Sequence, residues 1–476
     1  MVISSPGFMK FKAFLTDKVL FGNEPSSELI AILLVYFVQG ILGLARLAVS
    51  FFLKDDLALS PAQVSALMGV AALPWMVKPL FGFLSDGLPL FGYRRRPYLI
   101  LSGVLGATAW IALATVVHSA WAATLAIALS SFSVAMSDVI VDSLVVERAR
   151  GESVQDAGSL QSLSWGASAL GGLITAYFSG YLLQHVSTRT VFAITASFPL
   201  IVSLVAWLIA ESRVSELGQW SSVWQQMKQL RQAISQKAIW MPTAFMFIWQ
   251  ATPTADSAIF FFTTNELGFQ PEFLGRVRLV TSIASLLGVW LFQRFFKAIP
   301  FRVLFGWSTV TSAALGMTLL LLVTHANRAI GIDDHWFSLG DSLILTVMGQ
   351  IAFMPVLVLA ARLCPPGIEA TLFALLMSIY NLAGFLSYEF GAGLMHWLGV
   401  TESNFDRLWL LVVITNLSTL LPLPLLGWLP DSQANHDIDL SSGVVTSLPA
   451  ASVPAVETEL SPSSAREKQL IPELRQ

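Results

Sequence analysis

The sequence predicts an all-α integral membrane protein of twelve spans arranged as two six-helix bundles. Three observations predict it. Of the 476 residues, 55% are apolar and only 12% charged, where soluble domains carry about 25% charge. Mean hydropathy is +0.69 over 51.8 kDa, too high for a surface that must disperse in water. Apolar runs of about 20 residues, the length that crosses a hydrocarbon core of roughly 30 Å, recur along most of the chain. Barrel strands would be about half as long and strictly alternating. Lipid is therefore the solvent for most of the surface. A net charge of -3 with pI near 6.1 gives no basic face for a nucleic-acid partner. One cysteine, Cys364, allows neither an intrachain disulfide nor a thiolate metal site.

Each element follows in order. Residues 1–27 form a cytoplasmic segment with Lys10, Lys12 and Lys18, and they lack the look of a signal or transit peptide. The first bundle, 28–210, holds spans at 28–53, 62–85, 97–117, 121–146, 161–184 and 190–210. A polar linker, 211–238, separates the bundles and suggests a duplicated half. Within it Trp220, Val223, Trp224, Met227, Leu230 and Ile234 recur at helical spacing beside Lys228, Arg231 and Lys237, as in a helix resting on a membrane surface. The second bundle, 239–430, holds spans at 239–264, 273–297, 302–324, 341–363, 369–396 and 407–429. The tail, 431–476, is rich in Ser, Pro and acidic residues and is expected to be disordered.

Orientation comes from the basic residues, which gather on the cytoplasmic side. Of 27 Lys and Arg, only Lys54, Arg189, Arg328 and Arg407 fall in outer loops when the N-terminus is placed inside. Both termini are then cytoplasmic, in the cell's inner (plasma) membrane.

Charges inside spans cost at least about 2.5–3.5 kcal/mol each at mid-membrane, which makes them functional candidates. Arg46, Asp256, Arg276, Arg278 and Glu389 fall in the outer half of the bilayer, and Lys78, Asp138 and Asp142 in the inner half. They occupy spans 1, 2, 4, 7, 8 and 11 and avoid spans 3, 6, 9 and 12. That is the division between helices lining a central cavity and helices bracing it. Asp138 and Asp142 share one helix face near the depth of Lys78, so pairing among the three is expected. On the loop after span 2, Asp86 faces Arg94, Arg95 and Arg96, an acid opposite a basic loop that suits a cytoplasmic gate. Gly166, Gly171, Gly172, Gly391 and Gly393 read as packing faces. No phosphate loop, nucleophile elbow or metal-spaced His cluster is present, so no cofactor or metal is called for.

At these residues the chain becomes recognisable. Trp75, Lys78, Pro79, Gly82, Ser85 and Asp86, followed by Gly92, Arg94, Arg95, Arg96, Pro97 and Tyr98, resemble the folate-biopterin transporter family, a branch of the major facilitator superfamily. Asp138, Asp142, Arg148, Gly158, Ser159, Gln161, Trp165, Cys364, Pro365, Gly367, Glu369, Thr371 and Asn381 extend the resemblance over roughly residues 10–430. It implies uptake of folates or pterins by a monomer in the lipid bilayer, coupled to protons. A glutamate tail with two carboxylates suits some of Arg46, Lys78, Arg276 and Arg278. The pterin edge, a paired donor, suits Asp256 or Glu389, and Asp138 or Asp142 is the expected proton carrier. The alternatives are a proton-coupled carrier of another organic anion or a sugar, and, further off, a membrane-embedded transferase, whose catalytic constellation and soluble loop the sequence lacks. It is not expected to be an enzyme.

Overall fold

The computed structural model describes residues 25–149, 154–213, 228, 230–296, 299–364 and 369–430. We number its helical arms in chain order: α1, Ser27–Asp56; α2, Pro61–Ser85; α3, Arg96–Thr115; α4, Ala120–Ala149; α5, Val154–His185; α6, Thr188–Leu208. The second half holds α7, Lys237–Gln250 resuming as Asp256–Phe261; α8, Pro271–Phe296; α9, Phe301–Val323; α10, Asp334–Arg362; α11, Glu369–Leu398; and α12, Leu408–Trp428. Among the described residues there is no strand beyond an isolated bridge between Leu90 and Tyr93. The all-α class is thus the observed one.

Ten of these arms, among the described residues, are long and apolar enough to cross a membrane; α5 and α7 are the exceptions. The reasons differ. In α5 the apolar positions give way to Ser164, Gly166, Ser168, Gly171, Gly172, Ser179 and Gly180. Where sequence alone predicts one run over 239–264, α7 breaks at residues 251–255, because Pro253 has no N–H to continue the ladder. The freed groups are satisfied by α11: Thr254 N donates to Ser387 O at 3.3 Å, and Ser387 Oγ donates to Thr252 O at 2.5 Å. Irregular backbone is tolerated at membrane depth only with such partners. Two other limits shift, since α5 and α10 begin seven residues before the expected 161 and 341.

The halves repeat one another at an offset of 210 residues. α1 ends in a π-helical turn, Phe52–Asp56, and α7 in another, Phe262–Glu266. Leu57 N donates to Phe52 O at 3.0 Å and Leu267 N to Phe262 O at 3.1 Å. Next comes a residue in the left-handed region, Ala58 (φ 50°) in one copy and Gly268 (φ 67°) in the other. Pro61 and Pro271 then open the following helices. Even the mid-helix interruption recurs, at Leu42–Gly43 in α1 and at residues 251–255 in α7. Gly268 supplies the positive φ without strain; Ala58 adopts it at a steric cost that Gly would avoid.

Two seams join the halves, α2 along α11 and α5 along α8, and the same offset carries one onto the other. At the α5–α8 seam Gly180 lies against Gly275, where a Cβ on Gly275 would stand 2.8 Å from Gly180 Cα. At the α2–α11 seam Ser65 Oγ donates to Tyr388 O at 2.9 Å. Near the 57–60 turn, Lys54 Nζ donates to Asn265 Oδ1 at 2.8 Å, and the Phe51 and Phe260 rings meet edge to face at 5.3 Å. Each half has two apolar clusters, and Phe261 of the second half inserts into one belonging to the first. Large apolar side chains face outward, among them Trp121 and Trp397 near helix ends, where indoles anchor at membrane interfaces. Leu230 and Ala233, at the described end of the linker, are buried against the second half; Trp220, Val223, Trp224 and Met227, and the tail from 431, lie outside the described residues.

Candidate functional site

Two groups of charged side chains stand out, one within the first half and one where the halves meet. The first is set by an irregularity in α2: Pro74 lies in a 3-10 turn, Leu73–Trp75, after which the helix resumes at Lys78 with Pro79 in its first turn. Lys78 pairs with Asp138 of α4, their side chains 21% and 14% exposed. The ammonium also lies 4.9 Å from the Trp75 ring centroid, a cation–π contact. One turn further along α4, Asp142 accepts a hydrogen bond from the Tyr36 hydroxyl of α1. Asp142 remains within electrostatic reach of both Asp138 and Lys78. The expected pairing is therefore divided, with Lys78 on Asp138 and a phenol on Asp142. Asn381 Nδ2 of α11 donates to Trp75 O at 3.2 Å, so the second half touches this group through the backbone of α2.

The second group follows from the repeat. Arg46 lies in the first turn of α1 as it resumes at Leu44, and Asp256, 210 residues later, opens the resumed α7, so equivalent positions carry opposite charges. Beside Arg46 is a cavity of about 270 Å³, lined by Gln39 and Arg46 of α1, Ser168 and Thr175 of α5, and Arg278 and Ser282 of α8. Gly172 also lines it, and its missing side chain is part of the space. Asp256 is exposed, and Thr254 Oγ1 accepts from its backbone N at 3.2 Å. Tyr388 of α11 lies within reach of the charges of Asp256 and Arg46. Glu389 points elsewhere: a Cβ on Gly69 of α2 would stand 2.9 Å from its Oε1. Arg276 is also apart, exposed and paired with Glu272 at 2.7 Å one turn away.

The basic loop before α3 is held within the first half. Glu211, just after α6, accepts from the backbone N–H groups of Arg94 (2.5 Å), Arg95 (2.9 Å) and Arg96 (3.0 Å). A carboxylate at a helix N-terminus meets unpaired N–H groups and the positive end of the dipole together. Arg95 is buried and its Nη1 donates to Ser85 Oγ at 2.9 Å; Arg96 grips Ile209 O at 2.6 and 2.9 Å. The Asp86 side chain lies outside the described residues. Sequence reasoning missed Tyr36, Gln39 and Glu211. A lone Tyr or Gln in an apolar helix reads as core, whereas an acid following a span whose neighbour opens on three arginines was a usable signal. Among the described residues no group of three or more His, Cys, Asp or Glu could hold a metal.

The sequence matches the BT1 family over residues 39–447. It is 66% identical over 419 residues to a folate-biopterin transporter of Synechocystis, covering 88% of this chain and 85% of that protein. A probable folate-biopterin transporter 2 of Arabidopsis thaliana is 34% identical over 410 residues, covering 83% and 81%. Folate transporter 2 of Plasmodium falciparum is 30% identical over 404 residues, covering 85% and 88%. Among solved structures, the fold resembles a nucleoside transporter (TM-score 0.64, 13% identity, 84% of this chain and 98% of that one). It also resembles a D-xylose-proton symporter (TM-score 0.61, 15% identity, 84% and 98%).

Proposed function

The chain belongs to the BT1 family, and on that premise we propose that it carries folates and pterins across a membrane by proton-coupled symport. One observation carries the reading: identity of 66% over 419 residues with a transporter named for those substrates. It is a transporter rather than an enzyme, in keeping with the relatives and with the transporter-like fold. Alternating access fits two repeated halves that meet along two equivalent seams, since such halves can rock about them. The polar links Lys54–Asn265 and Ser65–Tyr388 lie toward the 57–60 turn. With the termini placed in the cytoplasm by the positive-inside argument, that end is the outer one, and the arrangement is closed outward. We place the chain in the plasma membrane, as a monomer.

Proton coupling is assigned to Asp138 and Asp142. Neighbouring carboxylates disfavour double ionisation and an adjacent ammonium favours it. A rocking motion that separates Lys78 on α2 from Asp138 on α4 then changes which acid holds a proton. The loop with Asp86, Arg94, Arg95 and Arg96 is assigned to the gate at the cytoplasmic end. Uptake of labelled folate, biopterin and a disaccharide into cells expressing the chain tests the substrate. Folate and biopterin should accumulate under an inward proton gradient and the disaccharide should not. Accumulation of the sugar alone would overturn the reading in favour of a sugar carrier.

A further inference from the structure

Some of four cations, Arg46, Lys78, Arg276 and Arg278, are expected to hold an anionic ligand, and the structure separates the four. Lys78 is committed to Asp138, and Arg276 to Glu272 at the exposed surface. Arg46 and Arg278 remain. Both line the cavity between α1, α5 and α8, and they stand close enough for their charges to repel. Among the described residues neither forms an ion pair. Arg278 Nη1 and Gln39 Nε2 are buried there without a hydrogen-bond partner. Two like charges and two orphaned donors gathered in one cavity are a costly arrangement, because buried charges and donors are normally paired.

The unmet needs share one sign. Gln39 Nε2 and the two guanidiniums are donors, whereas the hydroxyls of Thr175 and Ser282 already donate, to Gly171 O at 3.0 Å and to Arg278 O at 2.8 Å. A carboxylate is acceptor-only, carries the missing charge, and matches a guanidinium two oxygens to two nitrogens. We propose that the α1–α5–α8 cavity is a dicarboxylate subsite in which Arg46 and Arg278 each hold one carboxylate of the ligand and Gln39 Nε2 donates to one of them. One cation comes from each half, so the ligand bridges the α5–α8 seam and supplies the counter-charge that lets the two arginines stand side by side. The assignment rests on the folate reading, in which the glutamate tail provides the two carboxylates, but its chemistry needs only the dicarboxylate.

The test measures binding to the purified full-length chain of three probes: folate, 4-aminobenzoylglutamate, which is the tail without the pterin, and biopterin, which lacks the tail. Arg46→Gln and Arg278→Gln should each weaken folate and 4-aminobenzoylglutamate by about tenfold or more and leave biopterin within about twofold, as expected for loss of one charge-assisted pair. Retained biopterin binding shows that the variants fold. Gln39→Leu should weaken the same two probes less, and Arg276→Gln neither. Equal losses for biopterin and the tailed probes, or sulfate competing as well as the dicarboxylate, would overturn the subsite. So would a wild-type chain that binds biopterin but neither tailed probe, an outcome that leaves a pterin carrier standing. If instead 4-aminobenzoylglutamate binds in an arginine-dependent way while biopterin does not bind at all, the subsite stands and the pterin reading fails; circular dichroism then supplies the folding control.

Discussion

Asp138 and Asp142 sit one turn apart on α4 yet keep different company, an ammonium for one and a phenol for the other. This difference decides what each can do. Asp138 has a full counter-charge, so removing Lys78 alone leaves a half-buried anion unpaired, a change that costs part of the roughly 3–5 kcal/mol of a broken fully buried pair. Lys78→Met should accordingly lower the thermal stability of the purified protein, and Lys78→Met with Asp138→Asn should recover most of it. Transport separates architecture from coupling. Asp138→Asn mimics the permanently protonated acid, so it should abolish accumulation driven by a pH gradient and spare substrate exchange, which moves no net proton. Accumulation by the variant with wild-type dependence on external pH would reduce the Lys78–Asp138 pair to a helix clamp. The three charges were legible in the sequence because ionised groups in apolar helices are expensive. Which acid takes the lysine was not, since i and i+4 positions share a face and only the resumption of α2 after Trp75 fixes where the ammonium lands.

At the scale of the helices, the seams depend on residues without side chains. A Cβ on Gly180 would meet the backbone of α8, 2.6 Å from Gly275 Cα, and backbone cannot rotate aside as a long side chain can. Gly180→Val should therefore separate α5 from α8 at a cost of about 1–3 kcal/mol, the usual range for overpacking. Substrate uptake should fall at unchanged membrane abundance, and normal uptake would show that the seam is not part of the cycle. The expected packing role is observed at Gly171, against Phe37 O, and at Gly391, against Thr254 O; Gly166 and Gly393 have nothing within 4 Å. Small residues in a sequence mark where helices can approach, not where they do. Most helix limits were legible to within a turn or so because apolar length sets them, whereas the polar first turns of α5 and α10 were missed by seven residues. The break in α7 was signalled by Pro253 but hidden by the apolar residues on both sides, and its partner Ser387 lies more than a hundred residues away. A single sequence shows no such pairing.

For the whole molecule, the asymmetry of basic residues makes a claim about sidedness that packing cannot make, because helix contacts are the same whichever way the bundle faces. In a Cys364→Ala background, a cysteine at Ser403 should react with an impermeant reagent added outside intact cells, and one at Ser212 should be shielded; both positions are exposed. The reverse pattern would invert the orientation. The 210-residue repeat bears on something different. Two identical halves about a twofold axis cannot tell a ligand from the same ligand turned end for end, since both poses have equal energy. Arg46 and Asp256 occupy matching places and carry opposite charges, which lifts that degeneracy. A solute with one anionic end and one hydrogen-donating end then has a single favoured pose, and every 1.4 kcal/mol between the poses is about a tenfold preference. Every molecule carried would cross with the same end turned toward the same half, so that chemical changes at its two ends meet different walls and are judged separately.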